Sequence, residues 1–149
     1  LQGVDQVLNL DKFPYKLPKN HFTEIIADNV LEHVDDFCKT LKEIHKLLAP
    51  GGKLIIRVPH FTYSGAYTDP THKHFFTYHS FDYFVKKAGE YDFYFDFWFS
   101  SSKVKISFGK RIAIWNWIIE PLANWFPGVY ENSPMRMFPA EELHVTLTK

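Results

Sequence analysis

Three histidines and one aspartate lie in or beside a stretch without hydrophobic periodicity, between His60 and His79. They are His60, Asp69, His72 and His74. An imidazole can remove a proton near neutral pH, so His60, Asp69 and His72 are the candidate catalytic residues. The same side chains could bind a metal, but no recognised ligand spacing supports this and we predict no metal site. They could also simply hydrogen-bond the loop to the domain.

The elements before this stretch position His60. Apolar residues recur at spacings of three and four and predict one amphipathic helix: Val34, Phe37, Leu41, Ile44 and Leu48. Pro50 and the pair Gly51-Gly52 end that helix. The following segment KLIIRVP, residues 53–59, predicts a strand buried on both faces. His60 therefore lies at the carboxyl end of a buried strand, where such sheets bind ligands.

The remaining segments complete an α/β pattern in which the last strands are antiparallel. Strands are predicted at 4–10, 25–27, 93–99, 104–108 and 143–147, a short helix at 80–88, and a Trp-rich helix at 111–126. Loop-like sequence at 61–79 and the Trp-rich insertion at about 110–138 interrupt them. We predict a single, incomplete domain over residues 1–149.

Composition excludes several classes of partner. Lys plus Arg equals Asp plus Glu at 17 each, so no net charge attracts nucleic acid. Neither a signal peptide nor an uninterrupted apolar segment of about 20 residues is present, which argues against a membrane protein. The single cysteine, Cys38, excludes an internal disulfide and is typical of a reducing compartment, so we predict a cytoplasmic protein.

Four stretches together resemble the class I S-adenosylmethionine-dependent methyltransferases, in particular the branch called type 11. They are VLNLDKFPY, FTEIIADNVLEHV, LKEIHKLLAPGGKLIIRVP and ELHVTLTK. The resemblance implies a Rossmann-like mixed sheet with an antiparallel last strand. It also implies S-adenosylmethionine as the cofactor and methyl transfer to a small-molecule or sugar-type acceptor. The alternative is a non-catalytic oligomerisation or binding module derived from the same fold.

The family's glycine-rich cofactor loop has no counterpart here. The chain therefore resembles the C-terminal part of the domain, a partial sheet that lacks the family's first two strands. The family's strand order then makes the strand at 25–27 an exposed edge, which is a template for pairing. We expect either that the N-terminal strand pairs with this exposed edge, in the place of the missing strands, or that two chains pair across it as a homodimer.

The resemblance also assigns residues to the two reactants. Four residues lie on the cofactor side: Asn9, Asn29, Leu31 and Glu32. Three lie on the acceptor side: His60, Asp69 and His72. Two of these assignments have structural alternatives, because Asn9 suits a turn and Glu32, with His33, could begin the following helix.

Overall fold

A four-stranded mixed sheet forms the centre of the fold. The computed structural model describes residues 5–85, 95–109 and 114–149. Its strands are β1 (Phe22–Asp28), β2 (Leu48–Pro59), β3 (Ser101–Ser107) and β4 (Glu142–Thr148), in the order β1-β2-β4-β3. β1 is parallel to β2, whereas β4 is antiparallel to both β2 and β3. This confirms the predicted fold class of a partial mixed sheet with an antiparallel last strand.

The helix predicted over residues 34–48 is present as α1 (Phe37–Leu47). It begins later than the apolar pattern suggested because Asp36 is its N-cap, accepting a hydrogen bond from the Lys39 amide at 2.8 Å. Val34 lies in the preceding turn and is still buried. The inner face of the helix buries Leu41, Ile44 and Leu47 in the core.

Two glycines predicted to end the helix lie inside β2, because α1 already ends at Leu47 and β2 begins at Leu48. Gly51 has a φ of 74°, a left-handed conformation that glycine adopts without strain. A Cβ on Gly52 would lie 2.9 Å from the carbonyl oxygens of Ala49 and Phe22. The backbone can therefore approach β1 closely before β2 enters the core through Leu54 and the residues after it.

The strand predicted at residues 4–10 is wrong. Residues 5–9 form no strand, and the chain turns at Asn9, whose Oδ1 accepts the Asp11 amide at 2.9 Å. Leu8 and Leu10 pack against the core instead, and the Tyr15 hydroxyl donates to the Leu10 carbonyl at 2.7 Å. A local turn and side-chain burial thus replace sheet pairing in this segment.

The outer side of β1 stays open in the part of the chain that the structure describes. There β1 pairs only with β2, and Ile26 on β1 is 65% exposed. The prediction that the N-terminal strand pairs with the open edge of β1 is therefore wrong for residues 5–10. Pairing of two chains across this edge to form a homodimer, the other expected arrangement, stays a prediction.

Short helices fill the remaining connections. The predicted loop at 61–79 contains α2 (Gly65–Thr68), and the predicted helix at 80–88 is a 3₁₀ turn, Asp82–Phe84, within the described residues. The end predicted for this helix, at residue 88, lies outside the described residues. The strand predicted at 93–99 forms only a single bridge, Val85 to Phe99, among the residues described.

The Trp-rich segment is helical, as predicted, from Asn116 onward. It forms α3 (Asn116–Trp125), followed by α4 (Pro127–Asn132) and a 3₁₀ turn, Pro134–Met137. The start predicted at residue 111 lies outside the described residues. Within residues 5–85, 95–109 and 114–149, no helix has the length and apolar character needed to cross a membrane.

Candidate functional site

The chain turns sharply where β1 ends. Asn29 has a φ of 48°, and its amide donates to the Arg57 carbonyl of β2 at 2.9 Å. Its side-chain amide donates to Asp28 at 3.1 Å, while Arg57 donates two hydrogen bonds to the Asp28 carboxylate at 2.5 and 2.6 Å. Asparagine tolerates this left-handed conformation better than most residues. The turn places the exposed Asn29 side chain at the carboxyl edge of the sheet, where ligands bind in folds of this type.

Glu32 follows this turn, and its carboxyl group is buried. The residue is 1% exposed, and neither carboxylate oxygen accepts a hydrogen bond from any residue that the structure describes. Burial raises the pKa of the Glu32 carboxyl, while its own backbone amide, His33 and His72 oppose that rise. The backbone amide is near enough to act on the charge but does not meet hydrogen-bond geometry. A buried carboxyl group without partners is rare in native proteins.

Two histidines flank the Glu32 carboxyl group. The rings of His33 and His72 have their centroids 4.7 Å apart. One potential ligand atom from each of Glu32, His33 and His72 lies within 4.8 Å of the other two. The structure thus brings together Glu32, predicted on the cofactor side, and His72, predicted on the acceptor side. It adds His33, which the resemblance places in the same cofactor-side segment as Glu32.

Backbone hydrogen bonds bring His72 to this position. The amides of Lys73 and His74 both donate to the Glu32 carbonyl, at 2.7 and 3.2 Å. The His74 ring nitrogen Nε2 donates to the Val34 carbonyl at 2.8 Å, and Lys73 forms an ion pair with Asp35. His74 therefore has the structural role that the sequence left open for these histidines. The loop at 61–79 is attached to the turn after β1 by its backbone.

Asp69 acts on the histidines through Thr71. Its carboxylate accepts hydrogen bonds from the Thr71 hydroxyl at 2.6 Å and the Thr71 amide at 2.8 Å, which lower the pKa of Asp69. Because the Thr71 hydroxyl donates its one proton to Asp69, its oxygen accepts from Nδ1 of His33, 2.8 Å away. Thr71 was missed from the sequence, because threonine is common in loops and nothing local distinguishes this one.

His60 lies in a separate, fully buried network. Its Nδ1 accepts from the Thr62 amide at 3.2 Å, so its Nε2 carries the proton and donates to Glu131 at 3.1 Å. The same Glu131 oxygen accepts the Tyr78 amide at 2.6 Å. Both ring nitrogens of His60 are thus engaged. Among the described residues, no hydrogen bond or ring contact joins it to Glu32, His33 or His72.

The two remaining cofactor-side residues lie in different settings. Asn9 is exposed, and its side chain makes the turn contact that the sequence offered as its alternative role. Leu31 is fully buried in the core beside β1. Contact of either residue with a cofactor stays a prediction.

Comparison with known proteins gives the relationship of the chain. The model of the methyltransferase domain family matches residues 3–93. The chain belongs to this family. No curated protein sequence matches it.

Solved structures share the fold of this methyltransferase domain at low sequence identity. An S-adenosylmethionine-dependent methyltransferase from Archaeoglobus fulgidus is 16% identical with a TM-score of 0.56, over 89% of this chain and 62% of that one. Phosphoethanolamine N-methyltransferase 2 of Haemonchus contortus, in complex with S-adenosyl-L-methionine, is 14% identical with a TM-score of 0.50. That match covers 90% of this chain and 34% of the other. The chain thus spans less than two thirds of either relative.

Proposed function

We propose that the chain is part of an enzyme that transfers a methyl group from S-adenosylmethionine to a small-molecule acceptor. The family match over residues 3–93 carries this proposal. The strand order and the polar groups at the carboxyl edge of β1 support it. S-adenosylmethionine, when bound, supplies an electrophilic methyl group on a sulfonium sulfur.

Asn29 is the best supported of the proposed cofactor-side residues. Its side chain is exposed at the carboxyl edge of β1, and its amide can both donate and accept. Glu32 lies three residues later, and Asn9 offers an exposed amide from the N-terminal segment. Leu31 contributes apolar packing beneath this edge.

The acceptor side has one group suited to proton removal. Methylation of a hydroxyl requires that the acceptor oxygen lose its proton as it attacks the methyl carbon. The Nδ1 atom of His72 donates to the Ala66 carbonyl at 2.8 Å, so the neutral ring keeps a free lone pair on Nε2. Asp69 lies 3.9 Å from that atom and can orient the resulting imidazolium.

A sugar-type hydroxyl is the acceptor class that we propose. The predicted role of His60 on this side requires its contact with Glu131 to open, because both ring nitrogens are otherwise occupied. We also propose that two chains pair along the open side of β1 and that the protein acts in the cytoplasm.

Calorimetric titration with S-adenosylhomocysteine, in buffer with EDTA, tests cofactor binding. Concentrations must be able to detect a millimolar dissociation constant, a binding free energy of about 4 kcal/mol. We expect binding that Asn29→Gly weakens, since glycine keeps the positive φ and removes the side-chain amide. Asn20→Gly is the matched control, because Asn20 has a similar φ of 51°.

The outcomes of this titration separate the two functions. Binding weakened by Asn29→Gly and unchanged by Asn20→Gly supports the enzyme. If S-adenosylhomocysteine fails to bind at millimolar concentration, the 149 residues do not hold the cofactor by themselves. The alternative of a non-catalytic binding module would then be favoured.

A further inference from the structure

We propose that Glu32, His33 and His72 bind a divalent transition-metal ion such as Zn²⁺. These three side chains offer one carboxylate oxygen and two imidazole nitrogens, all within 4.8 Å of one another. Zinc and related divalent ions are commonly bound by this combination of ligands. Binding of the ion by this site does not depend on the proposed function.

The Glu32 carboxyl group gives the first argument for the ion. It is 1% exposed, and both of its oxygens lack a hydrogen-bond partner among residues 5–85, 95–109 and 114–149. A buried carboxylate is costly unless a cation or hydrogen-bond donors compensate it. A divalent ion between Glu32 and the two rings would supply that compensation.

The tautomers of the two histidines give the second argument. His72 donates from Nδ1 to the Ala66 carbonyl, and His33 donates from Nδ1 to the Thr71 hydroxyl, which in turn donates to Asp69. Each neutral ring therefore keeps a lone pair on Nε2. In a metal-binding histidine, the ring nitrogen that does not contact the metal typically donates a hydrogen bond to a carbonyl or to a group held by a carboxylate. This hydrogen bond orients the ring.

The spacing requires only a small adjustment. Ligand atoms of a tetrahedral site with bonds of about 2.0–2.1 Å lie about 3.4 Å apart. One carboxylate oxygen of Glu32 and one nitrogen of each ring already lie within 4.8 Å of one another, so each pair of these atoms must approach by at most about 1.4 Å. Side-chain rotation can provide this movement. Three protein ligands leave one coordination position open for water or another ligand.

A bound ion would change the proton-removal step, and this consequence rests on the proposed function. His72 would then serve as a ligand instead of a base. An acceptor hydroxyl at the open position would lose its proton more readily, because a metal ion lowers the pKa of a bound hydroxyl or water. The ion and His72 thus provide two distinguishable routes to the same deprotonation.

Metal titration of the purified chain, without cofactor, tests the site directly. Co²⁺ reports ligation by nitrogen and oxygen through its visible absorption, and Zn²⁺ is then added in competition. Glu32→Gln and His72→Ala remove a ligand each, and His79→Ala is the matched control. His79 is an exposed histidine next to a carboxylate, Asp82, outside the proposed site.

We expect one ion per chain and a loss of affinity of about 100-fold or more in Glu32→Gln and His72→Ala, with His79→Ala unchanged. Zn²⁺ should raise the melting temperature of the wild type but not that of Glu32→Gln. Without the ion, Glu32→Gln should melt no lower than the wild type, because it removes a buried charge. Absent binding, or binding that Glu32→Gln leaves intact, would overturn the proposal whatever the result with S-adenosylhomocysteine.

Discussion

Replacing Glu131 by alanine should destabilise the protein through two donors, the buried His60 ring and the partly buried Tyr78 amide. One carboxylate oxygen of Glu131 accepts both the His60 ring N–H at 3.1 Å and the Tyr78 amide at 2.6 Å. His60 is fully buried and the Glu131 side chain is only 7% exposed. Alanine would leave both donors without this acceptor, and the His60 ring N–H would have no access to solvent.

The magnitude follows from these two contacts. An unsatisfied buried donor costs about 1–3 kcal/mol, so Glu131→Ala should lower the free energy of unfolding by about 1–3 kcal/mol through His60, with a smaller addition from the partly buried Tyr78 amide. Glu131→Gln has a matching amide oxygen with two lone pairs, which can accept both donors. It should lose only the extra strength of a charged acceptor, about 1 kcal/mol.

Urea unfolding at pH 7 gives these free energies, with Glu24→Ala as a control at an exposed glutamate on β1. Nitrogen NMR of the His60 ring adds a local measurement, since the structure requires the proton on Nε2. A cost below about 1 kcal/mol for Glu131→Ala, or equal costs for the alanine and glutamine variants, would refute the reasoning. A proton on Nδ1 would refute the assigned tautomer.

Two further predictions concern the packing of α1. Leu41→Ala should cost about 2–5 kcal/mol in urea unfolding, because Leu41 is fully buried; a cost below about 1 kcal/mol would contradict that burial. For Glu43, burial acts to raise the pKa, but hydrogen bonds from Lys46 and the Tyr15 amide outweigh it and hold the pKa below its ordinary value of 4.5. The ionised form therefore stabilises the fold above that value. Glu43→Gln should reduce stability at pH 7, and the difference should fade as pH drops through the lowered pKa; a constant difference would contradict this assignment.

Local sequence determined the centre of the fold. The three- and four-residue spacing around Leu41 predicted α1, which is confirmed because this signal acts within a few turns of one helix. The helix end predicted at Pro50 and Gly51-Gly52 is wrong, because pairing of Leu48 with Phe22 starts β2 directly after Leu47. The apolar run of residues 53–59 correctly predicted a strand, but burial on both faces is wrong: Leu54, Ile56 and Val58 are buried, whereas the side chain of Arg57 on the other face is 42% exposed.

Tertiary contacts decided the N-terminal segment and the site. The alternation in residues 4–10 predicted a strand, but a strand also needs a partner, and burial of Leu8 and Leu10 with a turn at Asn9 was available instead. His72 reaches Glu32 only because Lys73 and His74 donate to the Glu32 carbonyl. The residue types alone indicated that a carboxylate and several histidines were candidates for a functional site. Long-range backbone hydrogen bonds determined which of these side chains lie close together. Burial, which also depends on the whole fold, left the Glu32 carboxyl group without a hydrogen-bond partner in the described part of the chain.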